Sequence, residues 1–161
     1  MYVVDANVLI EAKNRHYAFD LAPGFWEWLS RACAAGDVFT IKPVYDELRA
    51  GEDDLAVWAQ EHPEFFRPLG QGPVQYFSSL SRWAVSQKFT QAALAQFTGN
   101  NADYLLVAFA RTYGCTVVTQ EVSAPMGRRR VKIPDACKAM GVAVTTTFEM
   151  MRRCGVRLVL P

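Results

Sequence analysis

The chain has 161 residues, 51% of them hydrophobic and 20% charged, with a net charge of +1 at pH 7. Those proportions fit a globular protein able to bury a core in one domain spanning residues 1–161, and they remove any global electrostatic case for nucleic-acid binding. The four cysteines, Cys33, Cys115, Cys137 and Cys154, form no C-x-x-C pair and lie apart from His16 and His62, which argues against structural zinc and for small core thiols in a reducing compartment. No basic segment opens the chain, Asp5 interrupts its first apolar run, and no apolar stretch reaches the ~18 residues of a membrane span. The expectation is a cytoplasmic protein without membrane contact.

Tyr2 to Val4 reads as a short apolar strand ending at Asp5, and no element is assigned from Ala6 to Ala22. Phe25 to Ala35 has helical spacing and stops at Gly36. Val38 to Ile41 is a second strand, followed by the helix PVYDELRA from Pro43, closed by Gly51. A helix from Leu55 to Glu61 leads to a third strand at Phe65 to Arg67. Helices over Val74 to Gln87 and Thr90 to Phe97 follow the Gly70–Pro73 loop. Asn100-Asn101 can cap the helix Ala102 to Tyr113, whose apolar residues run almost all round it and predict burial. Strands at Cys115–Val118 and Val142–Val144 flank a helix from Pro134 to Met140. A last helix, Thr147 to Arg153, precedes an edge strand at Val156–Leu160. Strands alternating with helices imply a parallel sheet covered on both faces, with its site at the C-terminal strand ends.

Acids fall at those ends. Asp5 closes the first strand, Glu47 lies on the helix after the second, Asp103 opens the apolar helix, and Glu121 follows the fourth strand in VVTQE. Carboxylates gathered at one place raise one another's pKa unless a cation occupies the site. All-oxygen ligands without Cys or His favour Mg²⁺ or Mn²⁺, which typically work on phosphates, singly or as a pair.

Four stretches together resemble the PIN-domain family of nucleases: DANVLI with Asp5, PVYDEL with Glu47, NADYLLVAFA with Asp103, and VVTQE with Glu121. NADYLLVAFA and VKIPDAC are also similar to a PIN-like subgroup of unassigned function. The resemblance implies a three-layer α/β/α sandwich with a five-stranded parallel sheet of order 3-2-1-4-5. It implies Mg²⁺ or Mn²⁺ held by Asp5, Glu47, Asp103 and Glu121, with Asn7 and Thr119 supporting the site. It also implies an endoribonuclease, the toxin of a toxin–antitoxin pair with an antitoxin partner, and a homodimer. The family's usual Thr-Asn-Asp is Thr119-Gln120-Glu121 here, one methylene longer at the acid.

Each residue has a plainer reading. Asp5 alone is a turn or cap residue, and Asp103 a helix-start acid favoured by the helix dipole. Asp46 sits beside Glu47, and the family match selects Glu47 as the residue facing the site. Asp135 is a cap or first-turn acid of its helix, or an additional ligand. Thr119 is a β-favoured residue or a ligand-orienting one. The run Arg128-Arg129-Arg130-Val131-Lys132 is a solvated loop or an RNA-backbone contact, with Lys132 pointing inward. Trp26, Trp28, Trp58 and Trp83 read as core or dimer interface rather than base-stacking platforms.

Three other functions compete. A haloacid-dehalogenase-type phosphatase needs D-x-D, and Asn7 cannot exchange the proton. A dinucleotide-binding domain needs G-x-G-x-x-G after the first strand, which is absent. A catalytically degenerate PIN-like module would bind RNA or a protein without cutting; retention of all four acids argues against it, and the near-neutral charge and the Glu121 substitution argue for it.

Overall fold

The computed structural model describes residues 1–159. Five strands, β1 (Tyr2–Val4), β2 (Val38–Ile41), β3 (Phe66–Arg67), β4 (Thr116–Val118) and β5 (Val144–Thr145), form one sheet of order β3-β2-β1-β4-β5. Every pairing is parallel, with Val3 opposite both Phe39 and Val117. All four residues of β2 are buried, as expected where helices cover both sheet faces. The result is the three-layer α/β/α sandwich with the expected strand order.

Among the described residues nine α-helices surround the sheet: α1 (Ala6–Glu11), α2 (Pro23–Ala34), α3 (Lys42–Arg49), α4 (Asp54–Glu61), α5 (Val74–Ser86), α6 (Gln91–Phe97), α7 (Ala102–Tyr113), α8 (Ile133–Ala139) and α9 (Thr147–Arg153). α7 buries Ala102 and every residue from Tyr104 to Ala110, packing on α3, α5, α8 and β4. Its side chains meet the core all round, so its near-uniform apolarity follows from its place. Gly114 ends it at φ +66°, a left-handed turn that glycine adopts without strain. No described helix is long and apolar enough to cross a membrane.

Several boundaries differ from the sequence reading. Ala6–Glu11 is helical and runs into a π-helical turn at Ala12–His16, because Asp5 accepts the Asn7 amide and turns the chain out of β1 immediately. Phe65 belongs to a 3₁₀ turn, Pro63–Phe65, leaving β3 only two residues. Residues 156–159 form no strand. They line a cavity with Pro23 to Arg31 of α2, leaving β5 as the sheet edge. Leu160, the last residue of that expected strand, lies outside the described residues. Cys33, Cys115 and Cys137 are core thiols as expected, but Cys154 is exposed just beyond α9.

The strand order places the switch point between β1 and β4, the strands from which the chain departs in opposite directions. The backbone continues the alignment past both ends: Asp5 N–H donates to Val118 O at 3.0 Å, and Thr119 N–H donates to Thr145 O at 3.2 Å. Asp5 and Thr119 therefore stand side by side at the sheet's C-terminal edge.

Candidate active site

Asp5 is buried and doubly held. Its Oδ2 accepts from Thr119 Oγ1 at 3.0 Å, and its Oδ1 accepts the Asn7 amide at 3.4 Å. It is thus the N-cap of α1, as its plainer reading required, and also the buried carboxylate of the sheet edge. Burial pushes its pKa up to about 6; the bonds from Thr119 and Asn7 oppose the shift, and the charges of Glu121 and Glu47 add to it.

Asp103 occupies the first turn of α7. Asn101 caps that helix, its side-chain oxygen accepting the amides of Asp103 and Tyr104 at 2.9 and 3.3 Å. Burial first, then the charges of Asp5, Glu121 and Glu47, push the Asp103 carboxyl up to about 7, against the opposing charge of Arg130. Glu47, on α3, is likewise raised by burial and lowered in part by Arg130. Its neighbour Asp46 instead pairs with Lys42, one turn earlier on the outer face. Glu47, Asp103 and Arg130 line one cavity of about 360 Å³, walled by Ala93, Gln96 and Phe97 of α6. Neither the Glu47 nor the Asp103 carboxylate accepts a hydrogen bond or ion pair among the described residues.

Glu121 is engaged differently. Oε1 meets Arg130 Nη2 at 3.0 Å and Lys132 Nζ at 3.4 Å, while Oε2 accepts the Ile133 amide at 2.8 Å. Its own amide donates to Thr119 Oγ1 at 3.1 Å, so Thr119 bridges Asp5 and Glu121. Lys132 points inward as expected. Arg128 braces its own loop through the Pro125 and Gly127 carbonyls, and Arg129 is exposed. Asp135 is a first-turn acid of α8 rather than its cap. Its carboxylate accepts the Ala124 amide at 2.9 Å and binds the Ser123 hydroxyl. Trp26 and Trp58 are core residues, and Trp28 and Trp83 are half-buried against the core.

The donor set suits a hard divalent cation. Asp5, Glu47 and Asp103 are carboxylates whose raised pKa values reflect charge with too little compensation, and a cation relieves that. Cys137 is a fully buried core thiol, pushed up to about 12 by burial first and the Asp5 charge second. Among the described residues, however, no three His, Cys, Asp or Glu side chains are gathered closely enough to hold a metal ion as they stand. Glu47 and Asp103 face a shared cavity, Asp5 is buried at the sheet edge, and the three do not close on a common point.

Sequence reasoning overlooked Thr40, Ile133 and the α6 wall. Thr40, fully buried in β2, donates to Val4 O at 2.6 Å beside Asp5, but a threonine in a strand carries no mark of that role. Ile133 contributes a backbone N–H, which no side-chain pattern records.

The profile of the family described as "Domain of unknown function (DUF4411)" matches residues 2–158. The chain belongs to the DUF4411 family. No curated protein matches this DUF4411 chain by sequence. Its fold is similar to three solved structures. FitAcB from Neisseria gonorrhoeae superposes with TM-score 0.54 at 18% identity, over 89% of this chain and 96% of the other. VapBC2 from Rickettsia felis, bound to a DNA fragment from its promoter, gives 0.53 at 15% identity over 90% and 97%. FitAB bound to an IR36 DNA fragment gives 0.54 at 18% identity over 91% and 94%. The DUF4411 chain therefore has the PIN-like fold that its motifs resemble.

Proposed function

We propose that the protein is a Mg²⁺- or Mn²⁺-dependent endoribonuclease that hydrolyses RNA phosphodiester bonds. The observation that carries this reading is that Asp5, Glu47 and Asp103 lie near enough to raise one another's pKa at the C-terminal edge of a PIN-like sheet, with burial and neighbouring acids pushing the two aspartates up to about 6 and about 7. Asp5, Glu47 and Asp103 are the carboxylates available to the cation, and Glu121, the fourth acid of the resemblance, stands beside them paired with Arg130 and Lys132. When bound, the cation supplies Lewis-acid polarisation of the phosphate and a more acidic water. Thr119 fixes the Asp5 rotamer through its 3.0 Å bond, and Asn7 contributes its amide to the same carboxylate. Arg130 brings a guanidinium into the acid cavity, where a phosphate oxygen can accept from it, and Arg128, Arg129 and Lys132 extend positive charge along the approach.

The partner we propose is an antitoxin-like protein encoded beside this one, with a homodimer as the working assembly. Support comes from the likeness to FitAB and VapBC2, each solved on DNA. One observation favours a second reading, a PIN-like module that binds RNA or protein without cutting: no described trio of side chains is gathered for a cation, and Glu121 is already paired. Incubation of structured RNAs with the protein separates the two. Cleavage with Mn²⁺ that stops with a chelator and with Asp103→Asn supports the nuclease. RNA binding without cleavage in either metal supports the module.

A further inference from the structure

Glu121 departs from the shorter aspartate of the pattern that it resembles, and its contacts give the extra methylene a use. Both carboxylate oxygens are taken, Oε1 by Arg130 and Lys132 and Oε2 by the Ile133 amide. The Glu121 side chain is only 7% exposed, whereas that of Arg130 is 55% exposed. A buried carboxylate with three donors is a fixed point, and the loop between it and α8 hangs from it. That loop, residues 122–132, contains no helix or strand. Other ties hold it as well: Asp135 to Ser123 and Ala124, the Thr90 amide to Arg128 O at 2.9 Å, and the Asp135 and Ala136 amides to Lys132 O at 3.1 Å. Among the described residues, it is the Glu121 tie that sets a basic group of the loop, Arg130, against the acid cavity, which it lines with Glu47 and Asp103.

We infer that Glu121 is a positioning residue rather than a cation ligand. It clasps Arg130, Lys132 and the start of α8, so that Arg130 stands in the wall of the acid cavity with Lys132 held beside it on Glu121, both positioned to receive the RNA phosphate backbone. An aspartate at this place would be too short to hold the Ile133 amide and both cations together. The inference rests on the proposed nuclease reading, and the tests separate the two.

Mn²⁺ affinity is measured by calorimetry for wild type, Glu121→Gln, Glu121→Asp and Asp103→Asn. Affinity for a short fluorescein-labelled oligouridylate is measured by anisotropy, in chelator, across a salt series. Trypsin cleavage within residues 128–132 is timed for the same proteins. Expected for both Glu121 variants is Mn²⁺ affinity within about threefold of wild type, and oligouridylate affinity lower by about tenfold. The salt slope should fall by about 1–2, from loss of the Arg130 and Lys132 contacts, and tryptic cleavage should be faster. Because glutamine is isosteric, Glu121→Gln tests the clasp without a packing change. The inference is overturned if Glu121→Gln loses Mn²⁺ affinity about tenfold while Glu121→Asp retains it, with RNA binding and proteolysis unchanged. It is also overturned if wild type shows no salt-dependent RNA binding. If wild type and Asp103→Asn alike bind no Mn²⁺, the metal reading fails, and the RNA and trypsin results still decide the clasp.

Discussion

Asp103 and Asp5 illustrate how a functional site costs stability. Each carboxyl is raised above its ordinary 3.8, to about 7 and about 6, because burial and neighbouring acids disfavour the charged form. Between those values and 3.8 the folded chain binds more protons than the unfolded one, so stability falls as pH rises. The contribution is whole below about pH 4 and is lost as pH climbs through 6 and 7. The melting temperature of the cation-free protein is therefore expected to fall from pH 5 to pH 8, and saturating Mn²⁺ should flatten that fall. Asp103→Asn removes the most strongly raised charge. It should stabilise the cation-free protein at pH 8 by about 1–3 kcal/mol in denaturant titration, while abolishing Mn²⁺ binding. Thr119→Val leaves Asp5 Oδ2 and the Glu121 amide without a partner; it should cost about 1–3 kcal/mol by the same titration. At this scale the sequence was informative about identity and poor about engagement. The VVTQE motif located Glu121, but its pairing with Arg130, Lys132 and Ile133 depends on the course of an irregular loop. Asp135 reads as a cap or first-turn acid or an additional ligand, and its tie to Ser123 and Ala124, which depends on the same loop, is not visible in the sequence.

At the scale of elements, the helices announced themselves where caps and apolar spacing agreed. Asn100-Asn101 before the apolar run of α7 gave a start that matches the structure, where Asn101 is the cap, because a cap side chain and a buried face specify the same register. α1 escaped notice because Val8-Leu9-Ile10 after an apolar strand has no helical period of its own. The turn is set by Asp5 accepting the Asn7 amide, a contact visible only once β1 is fixed between β2 and β4. Val156–Leu160 reads as an edge strand, but residues 156–159 meet α2, so tertiary packing overrides propensity. α7 links fold to site, since its cap, Asn101, also lines the acid cavity. Asn101→Ala should lower stability by about 1 kcal/mol and weaken Mn²⁺ binding, as the first turn that carries Asp103 frays. Hydrogen exchange at the Asp103 and Tyr104 amides would report the fraying directly.

Across the whole molecule, a net charge of +1 conceals a sharp local contrast: an acid cavity at the switch point, beside a loop carrying Arg128, Arg129, Arg130 and Lys132. The covered parallel sheet was legible because strands alternate with helices along the chain, and the strand order came only as what the resemblance carried by the ordered acids implies. The closure of the site was not legible. It depends on whether Asp5, Glu47 and Asp103 draw together around a cation, which sequence spacing does not encode. The most direct test is calorimetric titration of Mn²⁺ into wild type and into the Asp5→Asn/Asp103→Asn double variant. The account predicts saturable binding by wild type and none by the double variant. Absence of binding by wild type, even with RNA present, would contradict it and leave the acids as helix caps and cavity walls of a binding module.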